Sequence, residues 1–406
     1  MLSHPLVLCY TQHMDDRLIF HIDVNSAFLS WEATRRVAMG EEDLRLVPSA
    51  VGGDPNSRRS IISAKSIPAK KYGITTGEPV SMALRKCPQL IVVKPDFALY
   101  RECSKAFIDI CKEYAPVVEQ FSIDECFLDM SGTKLIYPDP VATAYEIKDR
   151  IRDTLGFTVN VGVGSNKLLA KMASDFEKPD KVHTLFSYEI EKKMWPLEVR
   201  DLFLCGKSTT ERLKKAQIRT IGDLAKADIR YLQSYVGERA AMGLHNSANG
   251  IDDSPVSDER EDAKSYGMST TLEEDVTTYE QADSILLMLS DNVSRRIRAD
   301  KARAYCVAVT IRSLDFRNKS HQRALENATD ISTEVYEIAK ELFRELWDGK
   351  TALRLLNVTL SNVTREEIEQ LSLFDDEKKQ KSRKADRAMD AIRDKFGKNM
   401  ITRGGI

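Results

Sequence analysis

The chain has 406 residues, 42% of them apolar and 30% charged, with 60 basic against 62 acidic side chains and a formal charge of −2. That length and apolar content support two to four domains with real cores and exclude a disordered chain. The near-neutral balance excludes global attraction to a polyanion, so any contact with nucleic acid must come from local basic stripes.

Seven cysteines without a close C-x-x-C pair point to reduced thiols, hence a cytoplasmic protein rather than a disulfide framework. No apolar run reaches the roughly 18–20 residues of a membrane helix. Leu6-Val7-Leu8-Cys9-Tyr10 is too short and lacks the basic residues of a signal peptide. Residues 1–13 read as a dispensable extension ahead of Met14.

In chain order, Arg17 to Val24 reads as a buried strand that delivers Asp23 at its end. Asn25 or Ser26 then caps a helix through Ala27, Phe28, Trp31, Glu32 and Arg36, which Gly40 stops. An aromatic such as Phe28 on an amphipathic helix is, taken alone, core packing. From Leu44 to Pro95 the chain is basic and rich in small residues, with Arg58, Arg59, Lys65, Lys70, Lys71, Arg85 and Lys86 around Gly52, Gly53 and Gly73. A triphosphate needs such cations and close backbone approach, although a solvated basic surface has the same composition.

A helical pattern through Phe107, Ile110 and Cys111 precedes the stretch Phe121-Ser122-Ile123-Asp124-Glu125-Cys126-Phe127-Leu128-Asp129. Ionised carboxylates framed by apolar side chains require a metal or a basic partner. Strand neighbours point to opposite faces, so Asp124 and Glu125 share a site only at a bend, here the turn of a hairpin with arms Pro116–Phe121 and Cys126–Asp129. With Asp23 they form the carboxylate set that holds two divalent cations roughly 3.5–4 Å apart for phosphoryl transfer. Hard oxygen ligands favour Mg²⁺, and no His and Cys spacing suits zinc.

A helix from Val141 to Leu155 follows, then a strand from Thr158 to Gly164 and a helix capped by Ser165-Asn166 that carries Lys167 and Lys171. The alternation suggests a mixed sheet with helices on one face. Beyond Ser187 come short helices, with Leu202 to Leu213 and Ile218 to Leu224 reading as a helix–hairpin–helix around Gly206 and Lys207. Gly250 to Asp262 is acidic and periodless, a linker. The order strand 264–272, helix 278–299, strands 303–313 and 320–327, helix 331–348 and strand 353–364 completes the pattern. Between Asp291 and Arg323 nine basic residues stand against three Asp, among them Arg295, Arg298, Arg312 and Arg317, a stripe that suits phosphates along a duplex. Ala385, Met389, Ile392 and Phe396 keep helical spacing in a densely charged tail, a weak helix at most.

Three ordered motifs, His21-Ile-Asp-Val-Asn-Ser-Ala-Phe28, Ser122-Ile-Asp-Glu-Cys-Phe-Leu-Asp129 and Val161-Gly-Val-Gly-Ser-Asn-Lys-Leu-Leu-Ala-Lys171, resemble the lesion-bypass (Y-family) DNA polymerases, nearest the bacterial polymerase IV branch. The resemblance runs from about residue 17 to the end. It implies an α+β multidomain right hand: ferredoxin-like palm (1–26 and 96–186), fingers (27–95), helical thumb with the helix–hairpin–helix (187–249), linker (250–263), α/β little finger (264–368) and a clamp-binding tail (369–406). It implies two Mg²⁺ on Asp23, Asp124 and Glu125 with the carbonyl of Val24, and Phe28 as a steric gate against ribonucleotides. It assigns nucleotide binding to Ser63, Lys70 and Lys167, and DNA binding to Gly206 and Lys207. Gln370, Leu371, Leu373 and Phe374 resemble the peptide that docks on the bacterial sliding clamp. Primer–template DNA, deoxynucleoside triphosphates and the clamp are the implied partners of a monomer without a membrane.

Three positions depart from the family pattern. Ile67 stands where a Tyr is usual, Lys70 where an Arg is usual, and Leu204 replaces the first Gly of the hairpin. Ile67 cannot hydrogen-bond a phosphate, and Lys70 offers a point charge in place of a fork. These departures motivate a rival expectation, a catalytically impaired scaffold that binds DNA and the clamp. A nucleotide cyclase would also use paired carboxylates but has no use for the hairpin, the stripe or the clamp peptide.

Overall fold

The computed structural model describes residues 17–259, 261–366, 376–397 and 400–403. They divide into two compact units, one of residues 17–56 and 60–259, the other of residues 57–59 and 261 onward.

The first unit is organised by a five-stranded sheet. Its strands in chain order are β1 (Ile19–Val24), β5 (Val117–Gln120), β6 (Glu125–Asp129), β7 (Val159–Gly164) and β8 (Val182–Leu185), laid out β5-β6-β1-β7-β8. All neighbours are antiparallel except β7 and β8. Alternation along β1 sends Phe20 and Ile22 into a core shared with Phe107, Ile147, Ile151, Leu128, Val161 and Val163, from the sheet and from the helices Phe97–Lys112 and Pro140–Leu155. It sends Ile19, His21 and Asp23 to the opposite face, which the helix Lys167–Ser174 covers. β2 (Ser49–Gly52), β3 (Ile62–Lys65) and β4 (Ile91–Val93) make a separate small sheet around Ile62, Val80 and Leu90. Helices between Lys207 and Ala248 share a third core around Leu213, Ile221 and Leu232.

The second unit has the order β11-β10-β12-β9, where β9 is Ser265–Val276, β10 Arg303–Ser313, β11 Asn318–Thr329 and β12 Leu353–Thr364. Helices Tyr279–Ala299 and Ser332–Leu346 pack on one face against Val307, Val309, Leu356 and Val358. By the same alternation the other face is a field of small polar residues: Thr310 lies opposite Ser320 and Asn357, and Ala308 opposite Gln322 and Thr359.

Three expectations need correction. Ser26 begins the first helix with φ of 50° and no side-chain cap, because Asn25 spends its amide on Asn160 and its carbonyl oxygen on Thr158 and Asp180. The segment 250–258 is not a free linker. Val256 is buried with Ile19, Phe127 and Ala170, Asp252 accepts from the Leu168 N–H at 3.0 Å, and Ser257 N–H donates to Glu119. The tail forms a full helix, Asp376–Phe396, that docks by its charges: Asp386 is 1% exposed, whereas Ile392 and Phe396 face solvent. Asp386 accepts from the Ser332 N–H at 2.9 Å, supplying the helix Ser332–Leu346 with the cap that Ile331 cannot give.

The approach of helix Lys167–Ser174 to the sheet depends on Gly162 and Gly164. A Cβ at Gly162 would lie 2.0 Å from the carbonyl oxygen of Ala170 and 2.5 Å from the Ser174 nitrogen, and one at Gly164 2.7 Å from the Ala170 nitrogen. Backbone cannot step aside as a side chain can. Gly162→Ala should therefore cost about 3 kcal/mol or more in urea unfolding. Gly132→Ala, with nothing within 4 Å of the added carbon, should be near neutral.

Candidate active site

Asp23 is the last residue but one of β1, and the register sets it opposite Glu125, the first residue of β6. Asp124 precedes Glu125 in the hairpin turn, where the Phe121 N–H donates to the carbonyl of Glu125, so the bend that lets two adjacent carboxylates share a site is present. The carbonyl of Asp124 takes the Val24 N–H at 2.9 Å, tying the turn to the end of β1. Ser122 Oγ donates to Asp124 Oδ1 at 2.6 Å.

Charge at this corner is balanced by two lysines. Lys171 Nζ lies 2.8 Å from Glu125 Oε2 and 3.4 Å from Asp23 Oδ2, and Lys178 Nζ lies 2.8 Å from the same Asp23 oxygen. Asp175 joins both, 3.4 Å from Lys171 and 2.9 Å from Lys178. His21 Nε2 approaches Glu125 Oε2 to 3.1 Å. Burial pushes Glu125 up, but the hydrogen bonds from His21 and Lys171 prevail and hold it down at about 2. Burial pushes the Asp124 carboxyl up, and the charges of Asp23 and Glu125 add to that despite the Ser122 bond. Burial lowers the two lysines, yet their carboxylate partners leave both raised. Among the described residues no three His, Cys, Asp or Glu side chains converge closely enough to hold an ion as they stand. The ammonium groups supply the positive charge at this corner, and a third carboxylate that resists ionising beside two others is what an added cation relieves. The donor set, all hard oxygen, fits Mg²⁺.

The other expected site residues fall in different places. Phe28 stacks on Tyr100 with centroids 4.6 Å apart, and Tyr100 in turn donates to Glu32, so the ring is half-buried and backed by a second ring. Ser63 donates to the Val51 carbonyl in the small sheet, and among the described residues neither Lys65 nor Lys70 makes an ion pair. Burial and then the charge of Lys70 push Lys65 down, the mark of a place short of an anion. Lys167 does not point to this corner: its ammonium sits 2.7 Å from Glu119 and over the Phe127 ring. The helix start offered for phosphate is also taken, Leu168 N–H by Asp252 and Leu169 N–H by Asn166. Lys178, Asp175, Ser174 and Asp252 escape a sequence reading, although Lys171, Asp175 and Lys178 keep the i, i+4, i+7 spacing of one helical face.

Gly206 opens the helix Lys207–Lys215 without a side-chain cap, and both Gly206 and Lys207 are exposed. Leu204 keeps the left-handed φ of 64° that a glycine would adopt freely, with its side chain 83% exposed. In the second unit Arg312 donates to Asn318, and Arg317 pairs with Asp315 at the β10–β11 turn. Arg295 and Arg298 do not stand on an open stripe. Arg298 is 7% exposed and spent on Asp386 and Asp390, and Arg295 on Asp394, all from the helix Asp376–Phe396. Gln370, Leu371, Leu373 and Phe374 lie outside the described residues.

A carboxylate depressed from 4.5 to about 2 stabilises the fold above its unfolded value by on the order of 3 kcal/mol. That contribution is complete above pH 4.5 and is lost as pH falls towards about 2. Unfolding of wild type and Glu125→Gln, compared by urea titration, should therefore differ at neutral pH and converge as the medium is acidified through this window.

Comparison with known proteins follows the same lines. The profile described as the impB/mucB/samB family matches residues 22–175, that of the family's C-terminal domain matches 263–373, and that of the DNA polymerase-iota thumb domain matches 201–252. The protein named DNA polymerase IV of Clostridium acetobutylicum is 44% identical over 390 residues, 95% of this chain and 97% of that relative. The DNA polymerase IV of Clostridium kluyveri is 37% identical over 399 residues, 96% of this chain and 98% of the relative. A solved Y-family DNA polymerase chimera of Dbh and Dpo4 superposes with a TM-score of 0.74 at 20% identity, covering 86% of this chain and all of the other, which shows the shared α+β right-hand fold. By these relatives, matched along nearly their whole length, the chain belongs to the impB/mucB/samB family of Y-family, DNA polymerase IV-like proteins.

Proposed function

We propose that the chain, a DNA-directed DNA polymerase by its family, carries out low-fidelity translesion synthesis by two-Mg²⁺ nucleotidyl transfer while docked on a sliding clamp. The observation that carries the chemistry is the corner of Asp23, Asp124 and Glu125, where lysine ammonium groups balance carboxylates that await harder cations. Asp23, Asp124 and Glu125, with the carbonyl of Val24, would hold the ions. The chemistry that divalent ions held there would supply is activation of the primer 3′-hydroxyl and neutralisation of charge on the leaving pyrophosphate.

The chain's own groups do the rest. Phe28, backed by Tyr100, presents a ring that cannot yield to a 2′-hydroxyl. Lys65 and Lys70, without carboxylate partners among the described residues, suit the triphosphate, and Lys171 and Lys178 rather than Lys167 bring cations to the carboxylate corner. The open first turn at Gly206 and Lys207 suits a DNA phosphate. Duplex binding in the second unit falls to Arg312, Arg317 and the flat Thr310, Ser320 and Asn357 field rather than to Arg295 and Arg298. Gln370, Leu371, Leu373 and Phe374 form the clamp peptide on sequence grounds alone.

Primer extension on undamaged and abasic templates tests this reading. The wild type should extend both with Mg²⁺, and Asp124→Ala/Glu125→Ala should lose activity by a factor of about 10³ or more while still binding primer–template. If neither protein extends a primer that both bind, the impaired scaffold is the correct description, and Ile67 and Lys70 become the positions to revert. Phe28→Ala should raise ribonucleotide incorporation at least about tenfold, read from competition between the two sugars at one template position. Unchanged discrimination would return Phe28 to a packing role.

A further inference from the structure

Glu32 is a carboxylate only 1% exposed, and none of the chemistry above uses it. It stands one turn after Phe28 on the helix Ala27–Ala38, with Arg35 three residues further on, so Phe28, Glu32 and Arg35 share one face. From the helix Phe97–Lys112, Tyr100 lays its ring flat on Phe28, with centroids 4.6 Å and planes 12° apart. The Tyr100 hydroxyl donates to Glu32 Oε1 at 2.9 Å. Arg35 donates to Glu32 Oε2 at 2.6 Å and to Asp96 Oδ2 at 2.7 Å, and Asp96 caps the helix of Tyr100 by accepting from the Ala98 and Leu99 N–H groups. We propose that Glu32 is a positioning residue that fixes Tyr100 behind Phe28 and so sets how strictly the site rejects a 2′-hydroxyl. The inference rests on the reading that Phe28 is the gate against ribonucleotides.

The need for such a fixture follows from the stack itself. Two flat rings resist compression but slide over one another easily, since many offset arrangements are close in energy. A sugar carrying a 2′-hydroxyl would push Phe28 onto Tyr100, and a backing ring free to slide would give it room. Trp31 and Phe97 limit that slide, with centroids 5.7 and 5.6 Å from Tyr100, but Phe97 is itself 54% exposed. The hydroxyl is therefore the firm point of the ring. A phenylalanine would stack on Phe28 equally well, so packing alone does not call for that hydroxyl. Burial, reinforced by the bond to Glu32, raises its pKa, so it remains a donor. Tyr100 and Glu32 are both out of water, where leaving either group alone costs more than the bond itself contributes. The ion pairs of Arg35 differ in kind, because its guanidinium stands partly in solvent and exposed pairs contribute little. Arg35 occupies the second oxygen of Glu32 and leaves the first to Tyr100.

The test uses the full chain with Mg²⁺ on primer–template DNA and compares insertion of CTP and dCTP opposite one template guanine. Glu32→Met fills similar space without an acceptor, Tyr100→Phe keeps the ring and removes only the hydroxyl, and Glu32→Gln retains an oxygen that can accept from Tyr100. Glu32→Met and Tyr100→Phe should each raise the ratio of CTP to dCTP insertion about fivefold, with Glu32→Gln restoring most of the loss. The effect should lie in a lower KM for CTP, whereas general loosening of the core would lower kcat for both nucleotides. In a Phe28→Ala background, Glu32→Met should change the ratio no further, because its action passes through that ring. Unchanged discrimination by Glu32→Met, or an equal change with and without Phe28, would overturn the proposal and leave Glu32 a packing residue. Should Glu32→Met fail to fold, Tyr100→Phe decides by the same two measurements. If Phe28→Ala alone leaves the ratio unchanged, the gate assignment is at fault, and the role of Glu32 falls with it.

Discussion

Three carboxylates brought to the adjoining ends of two antiparallel strands repel one another, and the first unit is arranged to contain that repulsion. Lys171 and Lys178 contain it, Lys171 from a helix that lies almost on the sheet and Lys178 from the turn just beyond that helix. The helix lies there because β7 presents bare backbone at Gly162 and Gly164. Local sequence, close packing and electrostatics are thus links of one chain of cause. A single carbon added at Gly162 would push on the backbone of the helix that carries Lys171.

Much of this was legible in the residues themselves. Period-two alternation marked β1 and β6, the rule that strand neighbours face apart placed Asp124 and Glu125 at a bend, and capping chemistry marked Asn166. What could not be read depends on partners distant in sequence. Nothing near Lys167 announces that Glu119 will claim it, and nothing near Leu168 announces Asp252. Asn25 looked like a cap because its neighbours are helical, but Asn160 and Asp180 arrive from far along the chain to take it.

The helix Asp376–Phe396 shows how an amphipathic pattern can mislead. Its apolar residues keep helical spacing, which argues for a buried stripe, yet Asp386, Asp390 and Arg393 face inward to Arg298, Asp291 and the start of Ser332–Leu346. Unsatisfied groups on the domain determine which face docks. An uncapped helix start and an arginine without a carboxylate cost more to bury alone than an apolar stripe costs to leave wet. For the same reason a count of basic residues overstated the surface available to DNA.

The segment 250–258 has a bearing on where the catalytic half of the chain ends. By composition that half stops near Gly250, with the remainder a tether. Physically the tether is a strap: Asp252 closes the start of the helix that carries Lys171, and Val256 seals the apolar seam of Ile19, Phe127 and Ala170. A fragment cut at residue 249 would expose that seam and strip the helix of a cap, whereas one cut near 259 would keep both. The boundary of autonomous folding thus lies about ten residues beyond the boundary of secondary structure, in a stretch with neither helix nor strand.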